Sequence, residues 1–438
     1  MTGTNSHYDH AWLTRTPKLL LFLVIMIAAA LLLLPMQGCS GTPAPATAPG
    51  LIRYPYLQQV TQTSALIIWT TKKAGTSEVH YGPDQTRALV APATADSFTE
   101  PAIPSETSRS YYVHVAHLNG LQPGTTYYYS AFTAGTDVTS GGNISFHTDP
   151  GPAQHTLRML IFGDSGSGNQ SQFALRDTML GRTFDLALHT GDVVYPQGTY
   201  QQFDSYFFTV YKDLASRLPF YVAMGNHDYE TLVGRPYLDD FYLPENALPP
   251  AAKEHYYSFD FGPAHFVSLD SEILAGYRNA AAAQQMLDWL NNDLAHTSQP
   301  WKIVFFHRPP YSSSNVSVAP NLTSIAPILQ QHRVDIVFDG HEHIYARTVP
   351  IKDGLPSSLG DGGIIYVTTG GGGGDIHLCQ PQSYTAICLQ RYHFLDATIS
   401  NDCLLAFDAV SSDGEIIDHF ALDRCNPATP SPTATSTP

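Results

Sequence analysis

The chain has 438 residues, 43% of them hydrophobic and 11% aromatic, which is typical of a globular protein. At roughly 100 to 200 residues per domain, this length accommodates two or three domains. Thirty-eight acidic residues against 22 Lys and Arg give a formal net charge of −16, and no basic stripe is present. This pattern excludes duplex DNA or RNA as an expected partner, because nucleic-acid binding requires clustered positive charge. An anionic substrate would need local positive charge, which metal ions could supply.

The first 39 residues have the features of a targeting segment. Arg15 and Lys18 precede an apolar run at residues 19–34, and Cys39 follows it. This order resembles a bacterial lipoprotein signal, in which the cysteine is lipidated and becomes the new N-terminus. The alternative is an uncleaved membrane anchor, although the run of 16 residues is shorter than the ~20 that span a bilayer. Both interpretations predict an exported protein held at a bacterial membrane or cell surface.

Residues 40–50 form a linker rich in Pro, Thr and Ala, which we expect to be extended. From residue 51 to residue 148, short alternating runs between Gly and Pro turns predict an all-β sandwich that resembles a fibronectin type III module. We expect Trp69 and the nearby tyrosines to fill its core rather than to form a carbohydrate-binding face. Residues 426–438 are a low-complexity tail, which we expect to be disordered.

Residues 157–425 alternate strand-like runs with helical stretches, which predicts an α/β domain. One helix is predicted at residues 284–297, where Met286, Leu287, Leu290 and Leu294 recur at helical spacing. The chain then returns to strand-like runs between residues 362 and 425, which close the domain.

Cysteines are concentrated at the C-terminal end of the chain, where four of the five fall within the last 60 residues. An even number in an exported chain predicts two disulfides. Because they are sequence neighbours, we favour Cys379 with Cys388 and Cys403 with Cys425 over the other pairings. The alternative is a zinc site made of all four thiolates, which the absence of a CxxC pair disfavours.

Five apolar runs of the second domain end at polar residues: LRMLIFGD, FDLALHTGDVVY, LPFYVAMGNHD, WKIVFFH and VDIVFDGHEH. In an open α/β sheet the carboxyl ends of the strands meet at one edge, which brings such residues together. We predict that seven of these residues form the ligand set of a two-metal site: Asp164, Asp192, Tyr195, Asn226, His307, His341 and His343.

The residue types at these positions suit two adjacent ions, which need carboxylates and imidazoles from several strands and one bridging carboxylate. Asp164 and Asp192 each follow a glycine that lets the backbone turn at the strand end. His341 and His343 point the same way in an extended segment, although they could also be surface histidines. Tyr195 is the discriminating residue, because a phenolate oxygen favours a hard trivalent ion such as Fe(III). The alternative for Tyr195 is a packing role.

In this order, the motifs GDSG, GDVVY, GNHD, VFFH and GHEH resemble those of the purple acid phosphatases, a branch of the calcineurin-like metallophosphoesterases. The tyrosine of the second motif marks that branch, and the N-terminal β-domain is similar to that of its larger members. The resemblance implies two mixed β-sheets flanked by helices. It also implies the following metal assignment: Asp164, Tyr195 and His343 for Fe(III), Asn226, His307 and His341 for a divalent Fe, Zn or Mn ion, and Asp192 as the bridge.

The resemblance further implies that a metal-bound hydroxide attacks the phosphorus of a small phosphorylated substrate, while His227 binds a phosphate oxygen or protonates the leaving group. The family often has extra histidines after the fourth motif, and this chain has none before His332. We therefore consider Arg308 and Asn315 as candidate substrate contacts. Ala346 stands where a Glu is commoner, which removes one carboxylate close to the ligands.

Two further features lie beside these motifs. The glycine run at residues 370–374 lacks the Lys and the following helix of a phosphate-binding loop, so we predict a tight turn that borders the cleft. Asp228 either orients the neighbouring His227 or is a solvated neighbour.

The sequence therefore predicts an exported binuclear phosphatase that acts on phosphate monoesters. A phosphodiesterase or nucleotide hydrolase is the alternative on the same site, because two metals do not determine how many ester groups the phosphate carries. A non-enzymatic cell-surface binding protein with a vestigial metal site is a third possibility. The sequence does not define the oligomeric state.

Overall fold

The computed structural model describes residues 50–153, 156–247, 249–316, 319, 321–400 and 402–426. The targeting segment with Cys39, the linker up to residue 49 and the tail from residue 427 lie outside the described residues. Among the residues that are described, no helix combines the length and the apolar character needed to cross a bilayer. The lipid anchor therefore stays a prediction.

Eight strands form the N-terminal domain, and antiparallel pairing joins them in the order β1-β2-β5-β4-β3-β6-β7, with β8 on β6. They are β1 (Leu51–Gln58), β2 (Ser64–Thr71), β3 (Ser77–Gly82), β4 (Leu89–Thr99), β5 (Ser110–Asn119), β6 (Thr126–Thr133), β7 (Thr136–Asp137) and β8 (Ile144–His147). Trp69 is fully buried, and its indole N–H donates to the Thr133 hydroxyl at 2.8 Å. The predicted all-β domain is confirmed, with Trp69 in its core.

The second domain contains 15 strands, seven α-helices and four short 3₁₀ or π turns, counted over the described part of the chain. The strands are β9 (Leu157–Phe162), β10 (Leu186–His189), β11 (Phe220–Val222), β12 (Tyr257–Phe261), β13 (Ala264–Ser268), β14 (Trp301–Phe305), β15 (Ile336–Asp339), β16 (Tyr345–Thr348), β17 (Ile351–Lys352), β18 (Leu355–Pro356), β19 (Ile365–Thr369), β20 (Thr385–Leu389), β21 (His393–Ile399), β22 (Leu404–Ser411) and β23 (Ile416–Asp423). The α-helices are α1 (Gln170–Leu180), α2 (Tyr200–Gln202), α3 (Lys212–Ala215), α4 (Asn226–Tyr229), α5 (Arg235–Asp240), α6 (Ala280–His296) and α7 (Ala326–Gln331). The 3₁₀ turns are Pro250–Ala252 and Leu322–Ile325, and the π turns are Phe203–Phe208 and Ile273–Tyr277.

Two mixed sheets organise this domain, as predicted. One has the order β11-β10-β9-β21-β22-β23, with β9, β10 and β11 parallel. The other has the order β12-β13-β14-β15-β19-β16-β20, with β13, β14, β15 and β19 parallel. The Gly163 N–H donates to the Thr369 carbonyl at 3.0 Å, which joins the carboxyl ends of β9 and β19. The loops after the parallel strands of both sheets therefore meet at one place.

Helix α6 begins at Ala280, four residues before the predicted start, because the Asn279 side chain caps it by accepting from the Ala282 N–H. Its buried face contains Met286, Leu290 and Leu294 as predicted, whereas Leu287 is only partly buried. Trp289 occupies the buried face beside them. The sequence therefore predicted the buried face of the helix correctly, but it placed the start of the helix four residues too late.

Strand β1 packs the N-terminal domain directly onto the second domain. Arg53 is buried and forms ion pairs with Asp204 and Asp240 of the second domain. The Tyr56 ring lies 4.8 Å from the Phe208 ring, and the Tyr56 hydroxyl donates to the Asp240 carbonyl at 2.8 Å. A buried guanidinium without these carboxylates would strongly destabilise the protein. The two domains therefore depend on each other for their stability.

His265 in β13 lies between two carboxylates, Asp260 of the neighbouring strand β12 and Asp293 of helix α6. Its Nδ1 lies 2.7 Å from Asp260 and its Nε2 lies 2.8 Å from Asp293. Burial opposes protonation of this ring, but the two carboxylates outweigh burial and raise the pKa of His265 to about 9. Because this folded-state pKa lies above the ordinary value of ~6.5, the stability it contributes is complete below that value and is lost as the pH rises to about 9.

We therefore predict that the melting temperature falls between about pH 7 and pH 9.5, and that His265→Gln removes a large part of this fall. Thermal unfolding followed by circular dichroism at both pH values measures it. His419→Gln is the matched control, because the His419 side chain is 57% exposed and pairs with Asp408 at the surface, where ion pairs contribute little. An equal pH dependence in wild type and His265→Gln would contradict the assignment.

Candidate metal centre

Three of the predicted ligands meet at the ends of β9, β10 and β15. The Tyr195 hydroxyl lies 3.1 Å from Asp164 Oδ1 and 2.9 Å from His343 Nε2. His343 Nε2 lies 3.4 Å from Asp164 Oδ1. Atoms that each bind one ion at about 2.0–2.2 Å are separated by roughly 3 to 3.5 Å. This set, named the tyrosine group here, therefore fits a single metal ion.

The remaining ligands form a second set beside the first. His307 Nε2 lies 3.2 Å from Asn226 Oδ1 and 3.3 Å from Asp192 Oδ2. Asp192, His307 and His341 each offer one ligand atom, and these atoms all lie within 4.8 Å of one another. This set, the histidine group, fits a second ion with one carboxylate, one amide oxygen and two imidazoles.

Asp192 adjoins both groups. Burial, followed by the carboxylates of Asp164 and Asp192, raises the pKa of Tyr195 well above 10. The phenol is therefore neutral when no cation is bound. The position of Asp192 beside Tyr195 and His307 is the one that a bridging carboxylate requires.

The protonation states of the histidine group also depend on whether a cation is bound. Burial opposes a charge on His307, but Asp192 and Asp164 outweigh burial and raise its pKa to about 10. Burial, together with His307 and Arg308, lowers the pKa of His341 to about 2. In the absence of a metal, a proton on His307 balances the buried carboxylates. A bound metal ion would replace that proton, because an imidazole ligates in its neutral form.

Three of the ligand residues adopt left-handed backbone conformations, with φ of 57° at Asp164, 48° at Asp192 and 65° at His341. Such conformations are uncommon outside glycine, cost of order 1–3 kcal/mol each and persist only where the surrounding structure enforces them. The turn at His341 points its backbone N–H at both Asp164 oxygens, at 3.0 and 3.1 Å. The strain therefore serves to orient ligands.

Glycines allow these loops to approach closely. A Cβ on Gly225 would lie 2.2 Å from both the backbone N and Oδ1 of Asp192. In the glycine run, Gly372 donates to the Gly163 carbonyl at 3.0 Å and Gly374 donates to the Asp164 carbonyl at 2.9 Å. The run therefore borders the site as a turn, packed against the Asp164 loop.

His227 is partly exposed beside the ligands. It follows Asn226 in the short helix α4. Successive side chains of a helix point about 100° apart, so His227 and Asn226 face different directions. Its Nδ1 lies 2.6 Å from the Pro196 carbonyl, and its Nε2 lies 4.0 Å from Asp192 Oδ2. A carbonyl only accepts, so Nδ1 carries a proton and Nε2 faces the site.

The other two predicted substrate contacts have different surroundings. Arg308 lies at the site, where its Nε donates to Glu272 at 2.7 Å and its Nη1 contacts His341 Nε2 at 2.9 Å. Asn315 is exposed, and its Oδ1 accepts from the Leu378 N–H at 3.1 Å. Arg308 therefore touches a ligand directly, whereas the Asn315 amide holds a neighbouring loop.

Asp228 does not take either role considered for it. It is fully buried and accepts from the Val193 N–H at 3.0 Å and the Gly225 N–H at 2.9 Å. It therefore fixes the backbone on both sides of Asp192, and it neither orients His227 nor faces solvent.

Several residues of the site were not identified from the sequence. Glu342, between the two histidines of GHEH, accepts from the Ser312 hydroxyl and from the Ser313 N–H. Glu272 follows β13, which is a sixth apolar run that ends in polar residues. This pattern is the one by which Glu272 could have been identified from the sequence. His377 stacks on His343 with ring centroids 4.1 Å apart, and its only signal was its position between the glycine run and Cys379.

Two parts of the chain match known protein families. Residues 157–345 match the calcineurin-like phosphoesterase family, and residues 54–148 match the purple acid phosphatase N-terminal domain. Acid phosphatase type 7 of Homo sapiens is 27% identical over 428 residues, covering 89% of this chain and 93% of the human protein. A nucleotide pyrophosphatase/phosphodiesterase of Hordeum vulgare is 28% identical over 343 residues, covering 66% of this chain and 91% of the barley protein.

A solved structure shows the same fold. Purple acid phosphatase PPD1 from yellow lupin (Lupinus luteus) seeds superposes with a TM-score of 0.71 at 22% identity, covering 88% of this chain and 77% of the lupin chain. Residues 157–345 therefore form a calcineurin-like metallophosphoesterase domain. Residues 54–148 form a domain of the purple acid phosphatase N-terminal type, and the predicted enzyme class, a metal-dependent phosphatase, is confirmed.

Because a Cβ on Gly225 would overlap Asp192, we predict that Gly225→Ala weakens metal binding by about 10- to 100-fold, the usual effect of disturbing the support of a ligand. Metal content after dialysis and the far-ultraviolet circular dichroism spectrum measure binding and folding separately. Gly360→Ala is the control, because its Cβ would meet only Ser358 Oγ at 3.7 Å. Full metal retention by a folded Gly225→Ala protein would contradict the prediction.

Proposed function

We propose that the protein is an exported phosphatase that hydrolyses phosphate monoesters, with Fe(III) in the tyrosine group and a divalent Fe, Zn or Mn ion in the histidine group. The observation that carries this proposal is the position of the Tyr195 hydroxyl, 3.1 Å from Asp164 Oδ1 and 2.9 Å from His343 Nε2. An ionised phenol adds a second anionic oxygen to one ion, which favours a trivalent charge.

Bound ions would supply Lewis acidity and activate water for attack on phosphorus. The chain itself supplies the groups that bind the substrate. His227 donates through Nδ1 to the Pro196 carbonyl, so in its doubly protonated form its Nε2–H would donate to a phosphate oxygen or transfer its proton to the leaving alkoxide. Arg308 places its guanidinium on the side of His341, where an N–H group that is not engaged with Glu272 would donate to a phosphate oxygen.

The second candidate function is phosphodiester or nucleotide hydrolysis at the same site. The barley relative bears the name of such an enzyme, and the chain has no histidine between His307 and His332, where many purple acid phosphatases have extra histidines. Rates on a monoester and a diester of the same alcohol, measured side by side, distinguish the two. The vestigial-site alternative is disfavoured because all seven ligand residues converge in two groups.

Export and the membrane link belong to this proposal as well. Their support is the order of Arg15, Lys18, the apolar run and Cys39 in the sequence. Fatty-acid labelling of wild type and Cys39→Ser, followed by membrane fractionation, tests this part independently of catalysis. Equal labelling of the two proteins would exclude Cys39 as the lipidation site.

We predict that the oxidised holoprotein absorbs visible light through charge transfer from the Tyr195 phenolate to Fe(III), and that Tyr195→Phe abolishes this band. Visible absorption together with metal analysis provides the measurement. Tyr112→Phe, in β5 of the N-terminal domain, is the matched control and should keep the colour. A colourless wild-type protein that contains only Zn or Mn would refute the iron assignment, and absent hydrolysis with no bound metal would refute the enzyme.

A further inference from the structure

His343 is held by the segment that follows the glycine run. The Asp375 carbonyl lies 2.7 Å from His343 Nδ1, and because a carbonyl only accepts, Nδ1 must carry the proton. The lone pair is therefore on Nε2, the atom that faces Tyr195 and Asp164. This carbonyl thus selects the tautomer that a metal in the tyrosine group needs.

His377 holds the backbone and the ring of the same ligand. The His343 N–H donates to His377 Nδ1 at 3.0 Å, and the His377 N–H donates to the His343 carbonyl at 3.1 Å. The two imidazoles are stacked at 4.1 Å with an interplanar angle of 11°. Two hydrogen bonds and a ring contact therefore fix His343, in addition to the hydrogen bond that its Nδ1 donates to the Asp375 carbonyl.

A disulfide closes the segment that makes these contacts. We name residues 375–390 the disulfide loop, because the Cys379–Cys388 bridge lies within it. The loop ends in β20, which pairs with β16 directly after His343, and Cys388 lies opposite Ala346. The last residues of the loop therefore pair with the strand that follows the GHEH motif, and its first residues contact His343 of that motif.

The same loop is attached to the segment that follows His307. The Asn315 N–H donates to the Leu378 carbonyl at 3.1 Å, and the Gln380 N–H donates to the Ser313 carbonyl at 2.7 Å. Leu378 is 63% exposed and most of the loop is exposed or only partly buried. Since it buries little apolar surface, its conformation depends on the bridge and on these backbone bonds.

Resting on the proposed function, we propose that Asp375 and His377 are positioning residues for the metal ligand His343, and that the Cys379–Cys388 bridge keeps them in place. The consequence is that the tyrosine group binds its metal tightly only when this disulfide is formed. The bridge between Cys403 and Cys425 joins the ends of β22 and β23 instead and has no part in this effect.

The test compares the full-length double variants Cys379→Ser/Cys388→Ser and Cys403→Ser/Cys425→Ser. Each protein is loaded with iron, and iron affinity is measured against a competing chelator alongside the visible band. We predict that loss of the first bridge lowers iron affinity at least about tenfold, while loss of the second leaves it within about twofold of wild type. Equal iron affinity in both variants and wild type would overturn the proposal.

Variants of His377 test the same contacts without touching the bridge. His377→Phe keeps an aromatic ring for stacking but cannot accept the His343 N–H, and His377→Ala loses both contacts. We expect weakened iron binding and a displaced visible band in both variants, with the larger change in His377→Ala. An unchanged band and unchanged affinity in His377→Ala would overturn the positioning role, even if the cysteine variants failed to fold.

Failure of the proposed function has a different signature. A wild-type protein that holds zinc but no iron would refute the iron assignment, and the same chelator titration with zinc would then decide the role of the loop. A zinc affinity that falls with loss of the first bridge supports the positioning role, and one that does not change overturns it.

Discussion

The burial of two carboxylates side by side is the constraint on which the rest of the site depends. Asp164 and Asp192 are essentially inaccessible to solvent, and uncompensated buried charges are very costly. Arg308, whose guanidinium contacts the ligand His341, is engaged with Glu272. Burial opposes a charge on His307 and His343, yet the carboxylates raise the pKa of both rings, so without a metal the compensating charge comes from protons that a bound cation would replace.

This constraint explains why so much of the surrounding structure serves to hold loops rather than to face a substrate. Asp228 fixes the backbone around Asp192, and Glu342 fixes the segment after His307. The N-terminal domain takes part as well, because Glu106 accepts from the Thr199 hydroxyl and the Gln201 N–H at the start of helix α2, which follows Tyr195. The β-domain therefore supports the tyrosine side of the site, in addition to packing through Arg53.

The ligands could be predicted from the sequence because each is encoded locally, as a polar residue where an apolar strand ends. The supporting residues could not, since their roles arise from contacts between distant segments. Glu342 was adjacent to two predicted ligands, yet its partner is Ser313 on another loop. The roles of His377 and Arg308 likewise depend on which way a loop turns, and no periodic pattern encodes that. The missed start of helix α6 differs, because the Asn279 cap was present in the sequence.

The targeting segment and the disulfide loop are far apart in sequence, but both point to a compartment in which disulfides persist. The targeting segment, if it acts as proposed, delivers the domain to a compartment in which disulfides persist. The disulfide loop, in turn, needs its bridge to keep Asp375 and His377 against His343. In a reducing compartment the loop would lose that bridge, and the tyrosine group would retain its ligands without the support that orients one of them. Coupling the ligand to a disulfide would therefore confine full metal loading to the exported protein.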